Sequence, residues 1–396
     1  MKKMLFITPR ILFPTTSGGL IGSLTSLKFL AKKYNLDFIT FVEKKSVNLD
    51  NIEKNLKSNN VKNIFLVDFK LKKRSIWNII SAIIFNIPLS IYRNKSTAMK
   101  KKIAEIANDY DYIYADHWLT MQYIPKNYKG KVILKEHNAE YIMWERLITQ
   151  EKNIIKKFYL QFETARIKKY EAAICNSADY IITVTDEDKK NLTIIGAKSD
   201  KIKMLPAIIV DNIKHPIDNF EERKNSLMYV GSLSWDANID GLKYFLKNIY
   251  PKVKVKNPDI KFYIIGKTPP EVLQQFAKKD NSIILTGFVD DLTEYYEKCK
   301  LFIVYLRYGS GIKIKILEAL ANAMPVITND IGMEGILTQG ATLANEDNEF
   351  ADKILSLLNN NDELKIMSKE GIKYISKNYS KKSYQDYYDN IDKETK

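Results

Sequence analysis

Lys313, Lys315 and Glu318 follow directly on the loop Gly309-Ser310-Gly311, with Ile312 between loop and first lysine. The loop comes straight after the apolar residues 301–306. The segment behind it reads as a helix ending at Met324-Pro325, and a second apolar strand occupies 325–328. Glycine lets backbone approach a ligand closely. A helix N-terminus offers unpaired N–H groups and a positive dipole end, which suits phosphate. Two lysines add point charges, and a carboxylate two turns into the helix can accept hydrogen bonds from sugar hydroxyls. Phosphate donors at one end and a hydroxyl acceptor at the other suit a nucleotide sugar. The alternative is an ordinary strand–helix turn with solvated Lys and Glu.

Other segments carry weaker versions of the same signal. Gly18-Gly19 opens a helix after the first strand and suits an anion or a closely approaching sugar. That turn lacks GxGxxG, which disfavours an ordinary NAD site. His137, in KEHNAE at the end of a strand, could hydrogen-bond a sugar or phosphate, or simply pack. Gly287-Phe288-Val289, in LTGFVDDL, could read a base edge through its backbone with Phe288 packed nearby. A plain turn capped by Asp290 or Asp291 fits the same residues. The run 70–92 places Lys70, Lys72, Lys73 and Arg74 ahead of an apolar stretch containing Trp77. It is too short and interrupted to span a bilayer. It could lie in a membrane interface with its cations at anionic headgroups, or be a core helix flanked by solvated lysines. No metal-ligand spacing, nucleophile triad or Walker loop is present, so no metal or cofactor is expected.

These segments need elements to position them. The chain has 396 residues and two cysteines, which favours two domains and no disulfide framework. Net charge is +15. Residues 1–208 hold 36 Lys and Arg against 20 Asp and Glu, so the surplus lies in that half and the remainder is near neutral. A one-sided basic half suggests an anionic partner surface. Candidate strands lie at 3–8, 36–42, 63–67, 112–115, 132–136, 180–184 and 201–205. A second series lies at 226–231, 261–265, 282–286, 301–306 and 325–328. Helical segments separate them, notably 20–33 and a long one at 139–177. This alternation predicts α/β architecture: two doubly wound, Rossmann-like domains facing across a cleft. Expected boundaries are 1–208 for an acceptor-binding domain, 209–225 for a linker and 226–380 for a nucleotide-sugar domain. A C-terminal helix, 381–396, is expected to pack back on the first domain. Ligands in open α/β sheets bind at the carboxyl edge of the strands, where both glycine loops fall.

LEALANAMPVIT resembles the family 4 (group 1) retaining glycosyltransferases of the GT-B type. Glu318 takes the place of the second Glu of their E-x7-E signature. Ser310 stands where the first Glu would be, so the chain resembles a branch with a G-x-G-x-K-x-K loop. The segment VGSLSWDANIDGLKYF, beginning around Gly231 and Ser232, resembles that branch too, without the usual Gly-Arg plus Lys pair. The resemblance implies a donor held mainly by the C-terminal domain. Glu318 would bind the ribose, and Gly287, Phe288 and Val289 the base. Lys313, Lys315, Ser310 and the Gly309–Gly311 amides would meet the diphosphate, His137 the sugar, and Gly18-Gly19 the phosphate–acceptor junction. It implies a retaining, metal-independent transfer from a UDP- or GDP-sugar. The acceptor would be a glycan or lipid-linked glycan for bacterial surface polysaccharide or glycoconjugate. The setting would be cytoplasmic, peripheral on an anionic membrane through Lys72, Lys73, Arg74 and Trp77. The alternative is a catalytically silent subunit that binds glycan or a partner enzyme. A nucleic-acid partner is not expected, because it leaves the sugar-nucleotide loop unexplained.

Overall fold

The computed structural model describes residues 1–15, 18–43, 48–205, 213–309, 311–379, 381, 384–385 and 389. It separates into two compact units, Met1–Leu205 and Pro206–Lys396. The expected C-terminal helix at 381–396 lies almost wholly outside the described residues.

In the first unit seven strands form one sheet: β1 (Lys3–Thr8), β2 (Asn35–Val42), β3 (Ile64–Asp68), β4 (Tyr112–Asp116), β5 (Lys131–Lys135), β6 (Tyr180–Thr183) and β7 (Ile202–Met204). Their order is β3-β2-β1-β4-β5-β6-β7, and every pairing is parallel. A parallel sheet covered on both faces demands continuous apolar strands. β1 complies, with Met4, Leu5, Phe6 and Ile7 fully buried.

In the second unit the strands are β8 (Ser226–Val230), β9 (Lys261–Ile265), β10 (Ile283–Gly287), β11 (Leu301–Val304), β12 (Val326–Thr328) and β13 (Ala341–Leu343). Their order is β10-β9-β8-β11-β12-β13, again all parallel. Strand order reverses between β1 and β4 in one sheet and between β8 and β11 in the other. Those reversals leave a crevice at each carboxyl edge.

Every strand expected from the sequence is present, with ends shifted by two residues or fewer. β13 was not expected from the sequence. The long helix expected at 139–177 is two helices, Glu140–Gln150 and Ile154–Ser177. Asn153 caps the second by accepting from Lys156 N–H at 3.0 Å, a local bond that competes with continuing the helix. The expected linker is partly core: Phe220 is fully buried among Leu227, Phe245 and Phe262 of the second unit. Among the described residues no helix is long and apolar enough to cross a membrane.

Buried polar groups fix the first unit's helices. Glu163 is fully buried; its Oε1 accepts from Leu89 N–H at 2.5 Å and its Oε2 pairs with Arg166. Arg166 Nη1 donates to Ala82 O at 2.7 Å and Ile87 O at 2.9 Å. The pair therefore ties the helix Ile154–Ser177 to the helix Ile76–Ile84 and the turn after it. Breaking a buried pair by removing one partner leaves an uncompensated charge and costs about 3–5 kcal/mol. Arg166→Ala is expected to lower the unfolding free energy by that order in a urea titration; a midpoint within experimental error of wild type would refute the tie.

Candidate active site

In the second unit the crevice lies between β8 and β11, and Gly231, Ser232, Lys313 and Lys315 gather there. Beyond β11 the chain is clamped by buried Asn329, whose Oδ1 accepts from Leu306 N–H at 3.3 Å and whose Nδ2 donates to Leu306 O at 2.5 Å. The loop then turns through Gly309 (φ +142°) and Gly311 (φ +75°), backbone that side chains disfavour. Ser310 lies outside the described residues. The helix Ile314–Ala321 follows, and Lys313 at its N-cap supplies no side-chain cap.

Lys315 is the cation built into this edge. Its Nζ donates to Tyr229 Oη at 2.8 Å and to Asn238 Oδ1 at 2.6 Å. Asn238 Nδ2 in turn donates to Ser232 O at 2.8 Å, linking the ammonium to the turn after β8. A Cβ on Gly231 would stand 2.6 Å from Tyr229 Oη and 3.1 Å from Lys315 Nζ, so this glycine leaves room for the bond. Burial, then the nearby charge of Lys313, brings the Lys315 pKa down to about 7, with Glu318 opposing. Burial raises Glu318 to about 7, with Lys315 opposing. Among the described residues the Glu318 carboxylate accepts no hydrogen bond.

Lys313 is placed differently from its expectation. Its Nζ is 3.2 Å from Glu334 Oε2, both side chains are buried, and it also bonds Gly311 O. The charge expected to meet a diphosphate already has a carboxylate partner. Glu334, Asn238 and Tyr229 were not singled out in the sequence; only the fold brings residues this distant in sequence together. Gly287 (φ +75°) ends β10, the far edge strand of the sheet, and Phe288 and Val289 follow it. Phe288 is exposed rather than packed. Asp291 Oδ1 accepts from Thr293 N–H at 2.9 Å, a turn bond just before the helix Thr293–Lys298; the N-cap of that helix is Leu292, not either aspartate.

The first unit gathers Gly18, Gly19 and His137 at its own crevice. Gly18 begins the helix Gly18–Lys33, and a Cβ on Gly19 would sit 3.8 Å from His137 Nδ1. His137 Nε2 lies 3.1 Å from Oδ1 of buried Asp116. Burial would raise Asp116, but the charge and hydrogen bond of His137, with Lys135, hold it at about 2. His117, at φ +110°, sits 5.5 Å from the His137 ring, and burial and His137 lower it to about 3. Neither Asp116 nor His117 was singled out in the sequence.

The EHNAE turn that carries His137 is held by carboxylates from elsewhere. Ala139 N–H donates to Asp188 at 2.8 Å, and Glu140 N–H donates to Glu171 at 2.7 Å. Lys72, Lys73 and Arg74 precede the helix Ile76–Ile84 and Trp77 lies within it; Trp77 is exposed.

Residues 224–360 match the family described as Glycosyl transferases group 1. The second unit carries a group 1 glycosyltransferase domain. Over 398 aligned residues the chain is 24% identical to an uncharacterized 44.6 kDa protein in the cps region of Klebsiella pneumoniae, covering 96% of this chain and 97% of that protein. The fold is similar to HepE of Anabaena solved with UDP and glucose, with TM-score 0.68, 12% identity and coverage of 99% and 100%. It is also similar to S. aureus TarM with fondaparinux, alpha-GlcNAc-glycerol and UDP, with TM-score 0.70, 14% identity and 99% of each chain covered. The two parallel sheets are thus those of GT-B glycosyltransferases, and the domain match makes the chain a transferase.

The transferase's His137 turn carries a pH signature. Burial raises Glu171 to about 8 from an ordinary 4.5, its backbone hydrogen bonds opposing. Between those values the folded chain holds a proton that the unfolded chain releases. Stability from this group is therefore complete below about pH 4.5 and is lost as pH rises through about 8. Glu171→Gln is expected to raise Tm relative to wild type more at pH 8.5 than at pH 5.5. An equal difference at both pH values would show that Glu171 ionises normally.

Proposed function

We propose that this glycosyltransferase moves a sugar from a nucleotide-diphosphate sugar to a hydroxyl of a glycan or lipid-linked glycan, with retention and without a metal. The product would serve a bacterial surface polysaccharide or glycoconjugate. The observation that carries the donor reading is Lys315, half-buried beside the Gly309–Gly311 loop and aimed by Tyr229 and Asn238. An ammonium kept in a dry setting gains by meeting a diphosphate. The uncapped N-terminus of the helix Ile314–Ala321 supplies N–H groups and dipole for the same charge. Departure of the nucleoside diphosphate would leave oxocarbenium character on the sugar, and same-face attack by the acceptor hydroxyl would retain configuration. Glu318 is assigned to the ribose hydroxyls. On the first unit, His137 with its Asp116 partner is assigned to sugar hydroxyls, and Gly18-Gly19 to close approach of an anion.

UDP is the first donor nucleotide to test, since the HepE and TarM structures hold it. The cps-region relative supports a polysaccharide setting. The basic segment at Lys72, Lys73 and Arg74 supports a cytoplasmic protein peripheral on an anionic membrane. A silent glycan-binding subunit is the second reading; the commitment of Lys313 to Glu334 favours it.

A thermal-shift screen against UDP, GDP, ADP and CMP is expected to give a rise with one nucleoside diphosphate, because a ligand that binds only the folded state stabilises it. Glu318→Ala should weaken that binding by roughly 1.5–3 kcal/mol, the worth of a lost charged hydrogen bond. Unchanged affinity would sink the Glu318 assignment, and no response to any nucleotide would favour the silent subunit.

Lys315, at about 7, is largely protonated at pH 6 and largely neutral at pH 8. Diphosphate favours its charged form, so binding at pH 8 should take up a proton, and binding at pH 6 should take up little. Calorimetry in buffers of different ionisation enthalpy reads this directly. Uptake that persists in Lys315→Met would place the titrating group elsewhere.

A further inference from the structure

We infer that the first unit seats a two-helix apolar face in the interfacial layer of an anionic lipid bilayer. The inference rests on the proposed membrane-facing role of residues 72–77 and adds the exposed apolar face of a second helix, which the sequence did not reveal.

The helix Ile76–Ile84 is turned inside out: Ala82 is its only buried residue. Ile76, Trp77, Ile80, Ile83 and Ile84, at i, i+1, i+4, i+7 and i+8, form an exposed stripe, with Trp77 75% and Ile84 74% exposed. Phe85 extends it. The helix Ile154–Ser177 begins the same way. Ile154, Ile155, Phe158 and Phe162, at i, i+1, i+4 and i+8, are all exposed, the two isoleucines at 83% each.

The two stripes share one region of surface. Arg166 and Glu163, on the second helix, bond the backbone at Ala82, Ile87 and Leu89. Further toward the start of that helix, the charge of Arg74 reaches the Tyr159 hydroxyl. Large contiguous apolar surface is uncommon on a monomer and marks an interface.

Charge selects the occupant. No acidic residue occurs between Asp68 and Glu105. Lys72 lies 4.3 Å over the Tyr92 ring and Lys95 lies 5.3 Å over Phe85, placing cations against the apolar face itself. Exposed Lys73, Arg74, Lys156 and Lys157 flank the two helix starts. A second copy would bring this basic rim against itself. A bilayer with anionic headgroups offers both an apolar layer and the opposite charge. A polyprenyl- or other lipid-linked acceptor would then reach the enzyme along that surface.

The test is co-sedimentation of the full chain with phosphatidylcholine vesicles, with and without phosphatidylglycerol. One variant is Ile155→Ser with Phe158→Ser; the other replaces Lys72, Lys73 and Arg74 by alanine. Tm without ligand checks folding of each, and the shift with UDP checks that the second unit is unaffected. Wild type should bind phosphatidylglycerol vesicles. The apolar variant should lose roughly tenfold or more in partitioning, since two large side chains no longer leave water. The charge variant should lose its preference for phosphatidylglycerol. An apolar variant that partitions like wild type, beside a charge variant that does not, overturns the two-helix face and leaves the basic segment standing. Wild type that binds no vesicles overturns both. A wild-type dimer in ultracentrifugation that the apolar variant converts to monomer also overturns the inference, in favour of a second copy.

Discussion

An ammonium in a half-buried pocket is stable only while its neighbours are arranged around it, and Lys315 imposes that requirement on the second unit. Tyr229 and Asn238 must both reach it, from β8 and from the helix that follows β8. Gly231 must stay without a side chain so that the bond to Tyr229 can form. The loop before the helix Ile314–Ala321 must turn with positive φ so that Lys315 returns toward β8. Each of these conditions lies at the point where strand order reverses, and they make one pocket of sequence stretches far apart in the chain.

Lys313 and Lys315 illustrate how the same residue type two positions apart receives opposite treatment. Lys313 is neutralised within the protein by Glu334, which anchors the loop. Among the described residues Lys315 hydrogen-bonds only neutral groups, a phenol and an amide, so its charge remains available for an anion. The first unit handles His137 differently again. Its partner Asp116 stays ionised far below neutrality, which holds the ring against β4 while the other nitrogen faces Gly19.

Much of this was legible from residue order. The strands showed because buried parallel strands are apolar throughout, and β1 and β9 match expectation to the residue. The glycine loop and Glu318 showed because they lie close together in sequence. What stayed hidden depends on pairing at a distance. Glu334 lies 21 residues from Lys313, and Asn238 lies 77 from Lys315. The break before Ile154 depended on a single cap at Asn153, which periodicity cannot see. The outward apolar face of the helix Ile154–Ser177 was hidden for another reason: periodicity identifies a stripe but not whether the stripe faces a core or a lipid. Phe220 shows the converse, a residue in a polar connecting stretch that the second core takes up.

The cut between Leu205 and Pro206 crosses no strand pairing; each sheet closes over its own core. Descendants of such a chain can replace one half wholesale without disturbing a single register in the other. The two halves are therefore free to diverge at different rates.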